Sequence, residues 1–381
     1  MIGRLSLRNL SMAAALVLIA AFFSLHPDGG SFLSPENLSN LSIELAITAT
    51  LALGMLLVLL PGMIDLSVGS GVGMLGGLAA VLIIKAGFSA PVSLALTTLV
   101  ALGTWALMGA LIVKQKVPSF IITLGGLLVF QGLHWLIIRN ATIPVAPGGT
   151  ENILSLLTTY YLPPWAGYAL VVATVVVLAA ATLAGRRGRI AHGLPADDRE
   201  MAFLKLLCAA QGLFLLVIVM NGYKGVPLSL VILGVVLTGI YVLTRHTRFG
   251  RYLYAIGGNE EAARLSGIAV DRVVIGAYVI LGAITALTGF LQTAYGGYST
   301  TTVGKLMELD AIAACVIGGT SLKGGRGTVL GVLFGALIMA VLLNGMTLIA
   351  VSPEKKVIAR GVVLVLAVWM DVALARARKT T

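Results

Sequence analysis

The 381-residue sequence is poor in charge. Asp, Glu, Lys and Arg make up 11% of it, against about 25% in an average soluble domain. Too few polar side chains are left to cover a water-soluble globule of this length, which excludes the soluble enzyme and binding-module classes. Cysteine is scarce. Cys208 and Cys315 both fall inside apolar runs, so a disulfide framework or a cysteine metal site lacks its spacing. The histidines His26, His134, His192 and His246 are scattered over separate segments. HExxH, GxSxG and paired-carboxylate clusters are missing, so metal-assisted, serine-based and glycoside hydrolysis have no residues to run on. No lysine fits G-x-x-x-x-G-K-[ST]. The glycine-rich GGTSLKGGRG at 318–327 puts Lys323 ahead of its later glycines, with no strand before it, so it cannot cradle phosphates as a P-loop does. No catalytic residue, metal or bound cofactor is expected.

What is abundant is apolar sequence. Hydrophobic residues make up 58% of the chain and the mean hydropathy is +1.01. Repeated apolar runs of about 18 residues or more mark membrane helices. Such runs lie near 10–25, 41–60, 68–86, 91–113, 119–138, 165–184, 203–220, 227–243, 273–294, 308–322, 326–349 and 357–375. The fold class is therefore all-α, a polytopic membrane helix bundle of about 12 spans forming a single domain over 1–381. The run 308–322 is short for a crossing and is read as tilted, broken or re-entrant. The first run follows a basic start without a clear small-x-small cleavage site, and is read as a retained span and signal anchor. The 46 glycines fit close helix packing, with GxxxG-like spacings at Gly69–Gly73 and Gly73–Gly77.

The net charge of +11 does not indicate nucleic acid, because the positive charges collect at span ends. With the N-terminus inside, all but seven of the 26 Lys and Arg residues fall on the same side as the N-terminus. The seven are Lys85, Arg139, Lys224, Lys305, Lys355, Lys356 and Arg360. This bias predicts cytoplasmic N- and C-termini. The loop 139–164 is then the largest outside, and 185–202 and 244–272 are the largest inside.

The inside loop contains YAIGGNEEAARLSGI at 254–268. Asn259 suits a helix N-cap, Glu260 and Glu261 suit the positive end of the helix dipole, and Glu260 and Arg264 form an i, i+4 pair. Gly267 suits a left-handed cap. A helix of about seven residues, roughly 10 Å long, is expected, with Ala262 and Leu265 as its small apolar edge. LSGI at 265–268 shares only its opening with the LSGGQ signature of ABC ATPases, so this loop is not a nucleotide site. RYLYAIGGNEEAARLSGI does resemble the cytoplasmic loop of permease subunits of bacterial ABC sugar importers, the ribose/xylose/galactose group. GMIDLSVGSGVGMLGG at 62–77, KVPSFIITLGGLLVFQGL at 116–133 and ELDAIAACVIGGTSLKGGRGTVLG at 308–331 resemble further segments of the same group, in the same order. Two additional spans, at 165–184 and 203–220, together with NGYKGVP at 221–227 and LAVWMD at 366–371, resemble its D-xylose permeases. The resemblance implies that Gly257, Gly258, Asn259, Glu261, Ala262, Ala263, Arg264 and Gly267 couple the chain to an ATPase. It also implies a separate ABC ATPase subunit carrying ATP-Mg, a periplasmic sugar-binding protein, a permease homodimer in the bacterial inner membrane, and import of D-xylose or a related pentose.

Polar residues within the spans are pathway candidates by default. Asp65 and Ser67 follow Pro61 and Gly62, where two spans meet with almost no loop. Asp65 is either a pathway group or a cap for DLSVGSGVG. Glu308 and Asp310 are either caps or gate-lining groups. Asn344 bonds either a sugar hydroxyl or a neighbouring helix. Gln131, His134 and Trp135 share one helix turn with chemistry suited to a sugar. VPSFIITLG at 117–125 and VPLSLVILG at 226–234 form a faint internal echo. A secondary transporter driven by an ion is the alternative, with Asp65 as its one deep carboxylate. A structural scaffold without transport is a third reading.

Overall fold

A computed structural model describes residues 7–196 and 198–377. Arg4, Arg378 and Lys379 of the charge tally lie outside the described residues. Among the described residues, fifteen α-helices carry the fold. They are α1 (Leu7–Leu25), α2 (Pro35–Leu59), α3 (Val68–Ile84), α4 (Ala90–Gln115), α5 (Ser119–Ile138), α6 (Ile153–Thr159), α7 (Pro164–Ala191), α8 (Arg199–Asn221), α9 (Leu228–His246), α10 (Arg248–Gly258), α11 (Glu260–Leu265), α12 (Val270–Gly296), α13 (Met307–Ile317), α14 (Val329–Leu348) and α15 (Pro353–Ala377). Eight of them, α2, α4, α5, α7, α8, α9, α12 and α14, are long and apolar enough to cross a membrane, and α1 and α3 contribute shorter apolar stretches. The molecule is a polytopic helix bundle. Two-residue strands tie loops together at β1 (Ile143–Pro144) with β4 (Tyr298–Ser299), and at β2 (Tyr161–Leu162) with β3 (Val226–Pro227).

Local chemistry sets the helix starts. Ser34 caps α2, its Oγ accepting from the Asn37 N–H at 3.2 Å, with Pro35 at the first helical position. The echoed VP segments both begin helices, since α5 and α9 start directly after Pro118 and Pro227. At the end of α2, Gly62 takes a φ of +85°, which glycine adopts without steric cost. The chain then runs non-helically to α3.

The second half of α2 is apolar on nearly every face, and such a helix belongs in the interior. Leu51, Leu53, Met55 and Leu56 through Leu60 are all buried. Around it pack α9, α12, α13 and α14, while α3 lies between α12 and α5. The first helix docks on α14, with Phe23 against Gly345. Helices α7 and α8, the additional pair, pack on each other at the periphery around Val171, Val217 and Met220. Large apolar side chains such as Val177 and Leu215 point outward from this pair, as a lipid-facing surface requires.

One segment departs from a plain helix. The expected run 308–322 is helical only as α13, 11 residues and about 16 Å long. Non-helical segments at 300–306 and 318–328 flank it. Exposed backbone of this kind is tolerated at membrane depth only where protein or water satisfies it. Segment 300–306 lies against α3, with Gly304 at the backbone of Gly69 and Gly73. The GxxxG-like spacing therefore serves packing within the chain.

Candidate functional site

The polar loop folds as two short helices. Thr247 caps α10, its Oγ1 accepting from the Gly250 N–H at 3.2 Å. Asn259 ends α10 and caps α11, its Oδ1 accepting from the Ala262 N–H at 2.9 Å. Gly267 closes the loop with a φ of +82°. Arg264 donates to Glu260 Oε1 and to Asp271 Oδ1, each at 3.1 Å. It thereby ties α11 to the first turn of α12. These two partners, Glu260 first, hold the guanidinium above its ordinary pKa. A cleft of about 740 Å³ beside them is lined by Lys114, Lys116, Glu260, Arg264 and Asp271.

The expected coupling residues divide between two faces. Gly258, Asn259, Glu261, Ala262, Arg264 and Gly267 are exposed, and Leu265 is 84% exposed at the tip. Ala263 is buried, so the helix edge that packs inward is Ala263 rather than Ala262 or Leu265. Gly257 turns inward as well. A Cβ there would collide with the Leu60 carbonyl oxygen and the Gly325 nitrogen. Those two backbone groups hydrogen-bond each other at 2.8 Å. Tyr254 adds a hydroxyl bond to the Gly327 carbonyl at 2.9 Å. The GGTSLKGGRG segment is thus a strap joining the polar loop to the break between α2 and α3.

The pathway candidates do not converge on one site. Asp65 is buried, and its Oδ1 accepts from the Ser67 N–H at 2.7 Å and the Ser67 hydroxyl at 2.6 Å. Its Oδ2 accepts from Trp105 Nε1 at 3.0 Å. Asp65 and Ser67 therefore hold the start of α3 against α4. Gln131 and His134 line a cavity of about 260 Å³ with Ser70 and Glu308. Trp135 Nε1 reaches the Thr301 carbonyl at 3.4 Å. Asp310 pairs with Arg360 at 3.0 Å, the N–H lying out of line for a hydrogen bond. It faces a second cavity, of about 390 Å³. Val303 and Lys305 line both cavities, so segment 300–306 is the wall between them. Asn344 accepts from Asn37 Nδ2 at 3.0 Å, a helix-to-helix bond. Sequence reasoning passed over Glu44, an acidic residue inside the apolar α2, although that oddity alone marks a functional candidate.

A family model described as branched-chain amino acid transport system, permease component, matches residues 37–368. The chain belongs to this permease family. The permease is 40% identical to the xylose transport system permease protein of Escherichia coli over 372 residues, 98% of this chain and 93% of the relative. It is 39% identical to the xylose transport system permease protein of Haemophilus influenzae, over 94% of this chain and 95% of the relative. Against the ribose import permease protein of Escherichia coli the identity is 34%, over 95% of this chain and 92% of the relative. No solved structure matches the permease.

Proposed function

We propose that the permease is the membrane subunit of an ATP-driven ABC importer that moves D-xylose or a related pentose inward across the bacterial inner membrane. The observation that carries this reading is the 40% identity to a xylose permease over 98% of the chain, which includes the α7–α8 pair. A separate ATPase chain hydrolyses ATP and docks on α11 through Leu265, Glu261 and the exposed backbone at Gly258. A periplasmic sugar-binding protein delivers substrate to the opposite end, and two copies of the permease frame one pathway.

Twelve crossings with cytoplasmic termini suit this arrangement. Segment 297–328 starts at the β1–β4 end of the bundle and reaches Leu60 and Gly257 through its strap. It covers the distance that α13 alone cannot. Arg264 and its two acidic partners make α11 a lever fixed to α12, so a push on the loop moves the bundle.

The test is reconstitution with the cognate ATPase and binding protein in proteoliposomes. Labelled xylose should accumulate with ATP and the binding protein both present. Accumulation without either component would refute the reading.

A further inference from the structure

Glu44 lies on α2 nine residues beyond Pro35, about 14 Å along the helix. Its Oε1 accepts from the Tyr295 hydroxyl at 3.0 Å, and Tyr295 stands on the last turn of α12. Both line the cavity of about 390 Å³, within the range of about 300–1,000 Å³ usual for small-ligand sites. Ionisable groups at membrane depth face the protein interior or water rather than lipid. This cavity is therefore wet or filled.

Its lining selects a ligand class. Glu44 and Asp310 share the lining with Lys305 and Arg360, and Lys356 donates to the lining Thr347 at 3.0 Å, so charges of both signs are present rather than a single-sign field that would select an ion. Gln292 adds an amide that both donates and accepts. Ile47, Ala340 and Tyr295 supply apolar lining, which suits the C–H face of a sugar. A neutral molecule with several hydroxyls satisfies such a lining, since each hydroxyl can donate to a carboxylate or accept from a cation.

We propose that this cavity is a binding station for a neutral polyhydroxylated ligand, with Glu44 and Gln292 as its deciding hydrogen-bonding contacts. The identity of that ligand as the transported pentose rests on the function proposed above.

The experiment uses the full transporter in proteoliposomes, with two readouts. First, uptake is followed against xylose concentration for Glu44→Gln and Gln292→Ala. Glu44→Gln should raise the half-saturating concentration or lower uptake by about tenfold, the scale of one charge-assisted hydrogen bond. Both variants should co-purify with the ATPase in parental yield, so that a change in uptake is not a loss of assembly. Second, Thr48→Cys in a Cys208→Ser background is labelled with a small maleimide. Xylose should slow labelling, and sodium chloride at equal osmolarity should not. Parental uptake kinetics in both variants, together with labelling indifferent to every sugar tried, overturns the site. Absence of ATP-driven xylose uptake in the parent refutes the proposed function instead. In that case protection of Thr48→Cys by ribose or galactose still upholds the cavity, and protection by no sugar overturns it.

Discussion

At the scale of single residues, two neighbouring glycines have opposite surroundings. A Cβ at Gly257 would collide with the Leu60 carbonyl and the Gly325 nitrogen, whereas a Cβ at Gly258 would meet nothing within 4 Å. Backbone atoms cannot give way as a flexible side chain can, and overpacking costs about 1–3 kcal/mol. Gly257→Ala should therefore lower the melting temperature of the detergent-purified permease, and Gly258→Ala should leave it unchanged. Equal melting temperatures for the two variants would contradict the strap. Trp105 supports a second residue-scale expectation. Trp105→Phe removes the donor to Asp65 Oδ2 and leaves a buried carboxylate oxygen short of a partner, at a cost of about 1–3 kcal/mol. Thermal denaturation should show that loss, and pairing the change with Asp65→Asn should recover part of it. In sequence the two glycines look alike, because what distinguishes them is a strap some 65 residues further along the chain.

Among elements, α11 is legible because its determinants are local. Asn259, Glu260 and Gly267 specify cap, dipole and exit within nine residues. The brevity of α13 is legible for the same reason. Segment 300–306 as a wall between two cavities is not, because its partners Gly69, Gly73 and Gln131 come from distant helices. Likewise Glu44 stands out by its type alone, while its partner Tyr295 is fixed only by the packing of α2 on α12. The α11 lever yields its own prediction. Both Arg264 pairs are about half exposed, and solvent-screened pairs of this kind add little to stability. Arg264→Ala should barely change thermal stability, yet it should lower the sugar moved per ATP hydrolysed by freeing α11 from α12. Glu261→Lys should lower the same ratio through its exposed docking face. Unchanged ratios in both variants would remove α11 from the coupling path.

For the molecule as a whole, the apolar runs announced the bundle, because they are sums over many residues, and the charge bias that predicts its sidedness is a sum of the same kind. The same sums say nothing of energy source. Asp65, the carboxylate singled out for an ion-driven carrier, spends its oxygens on Ser67 and Trp105, and the case for ATP rests on the permease family instead. The decisive measurement is labelled xylose uptake into proteoliposomes holding the permease, its ATPase and its binding protein, with nucleotide and ion gradients set independently. Uptake should stop when ATP is withheld and persist when ionophores collapse the proton and sodium gradients. Uptake that survives without ATP and vanishes with the gradients would contradict the account.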